Sequence, residues 1–141
     1  MKLTRGAVEA LIQAMIPIMK QEMPATAAYR MQKNARLLTQ IHNESEAIRV
    51  RTVHELGTED PETKVVTVAE DKREEFFIRM QQLTAEEVEL ALMQVPIALL
   101  GNTMISAAAI EGLVDIIITG ETPEVPKLQL VSRPAPEDPP V

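Results

Sequence analysis

The stretch from residue 25 to residue 56 most constrains how this chain can fold, because it contains neither proline nor glycine. Small and apolar residues recur along it every three or four positions, which is the spacing of one helix face; they are Ala28, Met31, Ala35, Leu38, Ile41, Ser45, Ile48 and Thr52. The pattern predicts one long helix or two collinear helices. Because the repeat becomes small and partly polar in its second half, we expect that half to leave the core or to pair with another helix.

A shorter amphipathic helix is predicted before it. Thr4 is a candidate N-cap, and apolar residues then follow at helical spacing: Val8, Leu11, Ile12, Met15, Ile18 and Met19. Pro17 lies inside this pattern, so we expect a kink or an early end there. Methionines in this helix indicate core packing or an adaptable binding surface.

The region after the long helix predicts a strand and a second amphipathic helix. Gly57 is a candidate C-cap, residues 58–64 form a polar turn, and residues 65–69 (VVTVA) are β-branched and short, as strands are. Residues 70–83 then predict a short helix whose acidic residues lie in its first turns. Its apolar residues, predicted to share one face, are Phe76, Phe77, Met80 and Leu83.

Residues 84–100 carry two conflicting signals. Thr84 with Glu87 matches a capping box, which favours a helix, whereas apolar residues alternate with other residues over 88–92 and again over 95–99. We favour strands here, with a bulge or the turn of a hairpin near Gln94. Pro96 would then lie on a sheet edge.

The last predicted helix begins at Ser106 as N-cap, presents an apolar stripe that includes Ile110, Leu113, Val114 and Ile117, and stops at Gly120. Six prolines follow it, which predicts an extended tail over 121–141; they are Pro123, Pro126, Pro134, Pro136, Pro139 and Pro140. The sequence therefore predicts an α+β core domain over residues 1–120. It would be predominantly helical, with a long central helix, a small antiparallel sheet and an extended proline-rich C-terminal tail.

Composition and motifs favour no catalytic or cofactor chemistry. The 141 residues include no cysteine, so disulfides, thiolate catalysis and cysteine-ligated zinc are excluded. His42 and His54 lie twelve positions apart and point about a third of a turn from each other on a helix of about 3.6 residues per turn, so they would not share a metal. No phosphate-binding, calcium-binding or nucleophile motif is present. We expect a non-enzymatic protein that uses neither metal nor cofactor, although a carboxylate cluster leaves a metal-dependent enzyme as a remote alternative.

The charge distribution favours a protein partner over nucleic acid. The net charge is −7, and one Tyr and two Phe supply all the aromatic surface, so neither phosphate attraction nor base stacking is favoured. Residues 25–56 carry five basic and three acidic side chains, a net charge of +2, whereas residues 57–100 carry ten acidic and four basic side chains, a net charge of −6. The basic residues of the long helix, such as Arg30 and Lys33, are interpreted as a solvated face. Neither a signal peptide nor a membrane helix is predicted.

Two segments are candidate partner-binding sites. One is the acidic group formed by Glu86, Glu87 and Glu89. The other lies in the tail, where alternating apolar residues could add to an exposed sheet edge; we select Leu128, Leu130, Val131 and Arg133. An ordinary disordered terminus is the alternative for the tail. We expect the free protein to be a monomer.

The order of these elements over residues 4–118, with EEFFIRMQQLTAEEVELALMQVPIALL at 74–100, resembles a family of short proteins of tailed bacteriophages. Phe76, Leu83, Glu87, Val88 and Leu90 carry the resemblance, together with Glu89. Size, acidity, lack of cysteine and the proline-rich end are similar to the RNA-polymerase-binding inhibitors of thermophilic bacteriophages. That resemblance implies a protein of the host cytoplasm that contacts the β-subunit flap and the C-terminal region 4 of the primary sigma factor.

The mechanism implied by the resemblance is displacement of sigma region 4. Promoters that need a −35 contact would be blocked, extended −10 promoters would be spared, and an antitermination effect is also implied. The main alternative is a structural, assembly or chaperone protein of the phage particle, in which the long helix would mediate self-association.

Overall fold

An antiparallel pair of helices, α1 (Arg5–Met19) and α2 (Ala25–Leu56), forms the framework of the computed structural model, which describes residues 1–120. Arg5 contacts Ser45 while Glu9 contacts His42, which fixes the antiparallel direction. α2 has 32 residues and no break, so the prediction of one long helix is confirmed. At 1.5 Å per residue it extends about 48 Å, well beyond the length of α1.

α1 begins and ends where local chemistry dictates. The Thr4 hydroxyl oxygen accepts a hydrogen bond from the Ala7 amide at 3.0 Å, which confirms the predicted N-cap. The helix continues through Pro17 and ends at Met19, the last residue of its apolar pattern, so the early end expected at that proline is not observed. The face toward the core is fully buried and consists of Val8, Leu11, Met15 and Ile18.

The two halves of α2 have different surroundings. The first half buries Ala27, Met31 and Leu38 in the main core, together with the polar Asn34. The second half buries Thr52 and Leu56 outside that core and packs against a small hairpin and the next helix. The small and partly polar repeat of the second half agrees with this change of partner.

The hairpin consists of β2 (Gly57–Glu59) and β3 (Val66–Val68), paired antiparallel with Gly57 opposite Val68. Gly57 ends α2 as predicted, but in an extended conformation with φ −110° and ψ 177° rather than in the left-handed one typical of a glycine C-cap. Glycine is needed here because a Cβ would lie 2.6 Å from the Val53 carbonyl oxygen and 2.8 Å from that of Thr67.

The second predicted amphipathic helix is α3 (Arg73–Ala85), which follows a 3₁₀ turn at Glu70–Lys72. It contains no fully buried residue. Of the four apolar residues predicted to share one face, Phe76, Met80 and Leu83 are half-buried, whereas Phe77 is 60% exposed, so the four do not bury a common face. The capping-box interpretation is also wrong, since Thr84 lies inside the helix and donates its hydroxyl to the Met80 carbonyl.

After α3 ends at Ala85, residues 86–100 form neither an α-helix nor a hairpin. β4 (Glu87–Glu89) pairs antiparallel with β1 (Lys2–Thr4), a strand that the sequence analysis did not predict. β5 (Val95–Pro96) pairs parallel with β6 (Ile118–Thr119) and leads into a 3₁₀ turn at Ile97–Leu100.

The predicted hairpin or bulge near Gln94 is wrong because Asn34 binds the connecting segment. The Asn34 amide group donates to the Met93 carbonyl at 2.8 Å, and its side-chain oxygen accepts from the Met93 amide at 2.7 Å. The segment is thereby attached to α2, and β4 and β5 find different partners.

The last helix, α4 (Ala107–Leu113), is capped by Ser106 as predicted but is shorter than predicted. It was expected to continue to Gly120. Val114 instead has extended backbone and Asp115 has a positive φ of 70°. The following Ile117 and Ile118 are fully buried, and β-branched residues of this kind favour extended backbone over helix.

These elements enclose one main cluster of buried apolar residues between the α1 and α2 pair and the layer formed by α4, β5 and β6. The described chain is 62% helical with three two-stranded sheets, of which two are antiparallel, so the predicted α+β class is confirmed. The predicted tail, residues 121–141, lies outside the described residues.

Replacing Asn34 tests its role in attaching the β4–β5 connection to α2. In Asn34→Ala, the amide and carbonyl of Met93 lose their buried partners, so we expect the free energy of unfolding to fall by about 3 kcal/mol. Urea denaturation measures the change. The control is Asn102→Ala, at an exposed turn, for which we expect a change within about 0.5 kcal/mol. Equal effects of the two substitutions would contradict this role.

Gly57 gives a second stability test. In Gly57→Ala the new methyl group would contact two backbone oxygens too closely, so we expect a loss of about 2 kcal/mol and disruption of the hairpin. Gly112→Ala is the matched change, because its Cβ would lie 3.6 Å from that of Ala14, an ordinary contact. That variant should be neutral or more stable by up to about 1 kcal/mol. Thermal denaturation compares the two, and a harmless Gly57→Ala would refute the argument.

Candidate partner-binding surface

The acidic residues selected from the sequence lie together at β4, but their surroundings differ. Glu86 is the C-cap residue of α3, and Glu87 and Glu89 lie opposite Thr4 and Lys2 of β1. The structure therefore brings all three to the edge where α3, β1 and β4 meet.

Glu86 takes part in an ion-pair network around Arg5. The Arg5 Nε donates to the Glu86 carboxylate at 2.6 Å, and its Nη1 donates to the Ser45 hydroxyl at 3.0 Å. The Arg5 side chain is only 11% exposed, and Glu44 lies 3.7 Å away. Glu86 thus connects β4 to α1 and α2, which gives it a structural role.

Glu89 and Glu87 differ in their partners. The Glu89 carboxylate accepts from the N-terminal ammonium group of Met1 at 2.5 Å, and this charge lowers the pKa of Glu89 below its usual value of 4.5. Glu87 is exposed, and its side chain has no hydrogen-bond or ion-pair partner within residues 1–120. Of the three carboxylates, Glu87 is the one available to a partner.

α3 is oriented by its ion pairs. Arg79 donates to Glu55 of α2 at 2.8 Å and to Glu75 of α3 at 2.9 Å, and these carboxylates raise the pKa of Arg79. Phe77 precedes Arg79 by two residues, which is about 200° around a helix of 3.6 residues per turn. The Phe77 ring therefore points away from α2 and toward solvent.

A shallow depression of about 520 Å³ lies beside the Phe77 ring. Its lining residues come from α3 and from β1: Thr4, Phe77, Met80, Gln81, Thr84 and Ala85. α1 approaches α3 closely here, since a Cβ at Gly6 would lie 2.6 Å from the Thr84 methyl carbon. Residues opposite each other in an antiparallel pair point to the same side of the sheet, so the Glu87 side chain lies on the same side of the β1–β4 pair as that of Thr4, which lines the depression. We call these lining residues, together with Glu87, the α3 face.

The sequence analysis identified Glu87 but missed the exposure of Phe77. A signal for it was present, because neighbouring helical residues are about 100° apart and Phe76 and Phe77 could not both face the core. Thr4 was identified only as a helix cap. Thr4 also lines the depression, and this second role depends on the β1–β4 pairing.

A second cleft, of about 380 Å³, lies where α1, α2 and α3 meet. Its polar side chains are paired with one another: the His42 Nδ1 lies 2.8 Å from the Glu9 carboxylate, and Arg49 binds Glu46, which lowers the Glu46 pKa. His54 lies twelve residues from His42, about 18 Å along the helix. Within residues 1–120, no group of three His, Asp or Glu side chains is placed to hold a metal ion.

The basic residues of α2 and the methionines of α1 make local contacts. Arg30 donates to the Gln94 carbonyl at 2.9 Å, and the Lys33 ammonium lies 5.8 Å from the centre of the Tyr29 ring. Met15 is fully buried in the core, while Met19 and the following Met23 are partly buried and pack against the core. The four tail residues selected from the sequence, Leu128, Leu130, Val131 and Arg133, lie outside the described residues.

Comparisons with known proteins identify no relative. No family model matches this chain, and neither curated proteins nor solved structures give a match. Among the helices of residues 1–120, none is long and apolar enough to span a membrane.

Removing the Arg5 side chain tests the network that positions β4. In Arg5→Ala the hydrogen bonds to Glu86 and Ser45 are lost, and we expect a loss of about 1.5 kcal/mol in unfolding free energy, since one partner is solvent-exposed. Arg49→Ala, which removes an exposed pair within α2, should cost at most about 0.5 kcal/mol. Chemical denaturation and amide exchange at Arg5, whose amide donates to the Glu86 carbonyl, provide the measurements. Unchanged exchange at Arg5 would contradict the positioning role.

Proposed function

We propose that this protein is a phage-encoded, non-enzymatic regulator that binds a protein complex of the bacterial host through the α3 face. The observation that carries the proposal is the Phe77 side chain, an aromatic ring that is 60% exposed beside a partly apolar depression. Exposed aromatic anchors that fill a pocket of the partner typically dominate the energy of protein interfaces. Phe77 would be that anchor.

The charge around Phe77 narrows the chemistry of the partner. Glu87 lies at one edge of the α3 face, and the first turns of α3 and the preceding 3₁₀ turn carry exposed acidic residues: Glu70, Asp71, Glu74 and Glu75. A partner that presents an apolar pocket with a basic rim would complement this surface. Protein surfaces that ordinarily approach DNA have such basic rims.

Host RNA polymerase is the most specific partner to propose, on the basis of the resemblance to RNA-polymerase-binding phage inhibitors. The β-subunit flap and sigma region 4 would be the contacted parts. Binding there would displace sigma region 4 and inhibit promoters that need a −35 contact, with antitermination as a further effect. The tail would add a second contact, which raises the overall affinity through effective concentration.

Binding to purified RNA polymerase tests the proposal directly. We expect the full-length protein to bind holoenzyme from a thermophilic bacterium, and Phe77→Ala to weaken binding about 30-fold, the loss typical of an interface anchor. Tyr29→Ala is the matched control, because Tyr29 is 58% exposed but lies near the start of α2. Surface titration by biolayer interferometry gives the dissociation constants.

Two results would count against the proposal. Absence of binding to holoenzyme, core enzyme and free sigma factor would reject RNA polymerase as the partner. Equal losses in Phe77→Ala and Tyr29→Ala would reject the α3 face as the docking surface. Run-off transcription from a −35-dependent and an extended −10 promoter then determines whether binding inhibits or redirects initiation.

Particle assembly by self-association is the second candidate function. It is favoured by the exposed face of α2, whose residues have few intramolecular contacts along four turns. Binding to polymerase would favour the regulator, whereas association into oligomers larger than a dimer without polymerase binding would favour assembly.

A further inference from the structure

The outer face of α2 is open to solvent on the side away from the core. A broad depression of about 650 Å³ runs along it and is lined by Gln32, Ala35, Arg36, Thr39, Gln40, Asn43, Glu44 and Ala47. Within residues 1–120, Ala35 packs against the edge of the core and Glu44 lies 3.7 Å from Arg5, whereas the other six side chains make no hydrogen bond or ion pair. The face is therefore free to meet another surface.

The eight residues form two parallel rows. One row has long side chains at every fourth position, Gln32, Arg36, Gln40 and Glu44, and the neighbouring row has short ones, Ala35, Thr39, Asn43 and Ala47. Rows spaced by four residues are the ridges that interlock when two helices pack. A ridge of long side chains beside a groove of short ones suits a partner with the same pattern.

A second copy of this chain has that pattern when it is placed antiparallel. With the two-fold axis between Thr39 and Gln40, each long residue faces a short residue of the second copy: position 32 faces 47, 36 faces 43, 40 faces 39, and 44 faces 35. A two-fold interface uses the same patch on both copies, so it must be self-complementary in this way.

Charge selects the antiparallel arrangement over the parallel one. In the antiparallel register, Arg36 of one copy lies beside Glu44 of the other, and the symmetry repeats this contact. In a parallel pair, Arg36 would face Arg36 and Glu44 would face Glu44, and like charges across an interface are unfavourable. We infer that this protein forms an antiparallel homodimer through the outer face of α2, in which Arg36 and Glu44 form reciprocal ion pairs.

An apolar groove lies next to the proposed two-fold axis of the dimer. Ile16 of α1 is 41% exposed and, with Ile12, Met19 and Thr39, lines a groove of about 320 Å³ between α1 and α2. The second copy of α2 would cover part of this groove. Since one helix face per copy is a small interface compared with the roughly 1,600 Å² of a standard one, we expect micromolar affinity. The proposed dimer differs from the monomer expected from the sequence.

Sedimentation of charge-reversed variants tests the ion pairs. We expect the wild-type chain to dimerise between 1 and 100 μM, roughly the range of a small interface, and Arg36→Glu and Glu44→Arg each to weaken dimerisation at least about 10-fold. An equimolar mixture of these two variants should form a heterodimer, because each then supplies the charge that the other needs. Arg73→Glu, an exposed charge reversal at the start of α3 and outside the outer face of α2, is the control and should dimerise like the wild type.

Any one of three outcomes would overturn the inferred dimer. A wild-type chain that stays monomeric at 100 μM, the top of the range set roughly by interface size, overturns it. So does an Arg36→Glu variant that dimerises like the wild type, or a mixture that fails to associate. Restored association in the mixture also shows that both variants are folded.

Cross-linking tests the direction of the helices, and the absence of natural cysteine makes it clean. Gln40→Cys places two thiols beside the two-fold axis and should form a disulfide dimer on mild oxidation. Arg51→Cys should not, since the two positions lie roughly 35 Å apart in the antiparallel register at 1.5 Å per residue. Cross-linking of both variants would indicate a parallel pair and overturn the proposed register, and no cross-linking of Gln40→Cys would reject the interface. The α3 face lies on another helix, so these results are independent of binding to polymerase.

Discussion

The attachment of Met93 to Asn34 is the interaction on which the rest of this structure depends. A buried side-chain amide satisfies both backbone groups of one residue, so the segment between β4 and β5 crosses α2 at a fixed place. β4 on one side of this segment pairs with β1, which brings Glu87 beside Thr4 and completes the α3 face. Because a buried amide without its partners is costly, this arrangement has few alternatives.

The parts of the fold that follow local rules could be predicted from the sequence. α2 was predicted with its observed limits because proline and glycine mark both ends, and the hydroxyl caps at Thr4 and Ser106 act within one turn of their own residues. The strand pairings could not be predicted, because β1 meets β4 across more than eighty residues and nothing local selects that partner. The end of α4 was missed because burial of Ile117 and Ile118 outweighed a continuous helical pattern.

The same distinction between local and long-range interactions explains which parts of the candidate site could be predicted. Glu87 was identified from its charge alone. Its difference from Glu86 and Glu89 could not be predicted, because it depends on long-range contacts in which Arg5 binds Glu86 and the N-terminal ammonium group binds Glu89. Phe77 was predicted to share one helix face with Phe76, Met80 and Leu83, and its exposure was not predicted. Its exposure follows from the orientation of α3, in which Arg79 on the opposite side of the helix pairs with Glu55 of α2. The two proposed interfaces lie on different helices, so a dimer could present two α3 faces to its partners.

α3 differs from the other three helices because it contributes no fully buried residue. Substitutions at exposed positions usually change stability by no more than about 0.5 kcal/mol, whereas core positions tolerate little. Mutations on α3 can therefore accumulate without unfolding the protein. A binding surface carried by such a helix can follow changes in its partner over evolution, while α1 and α2 conserve the scaffold that presents it.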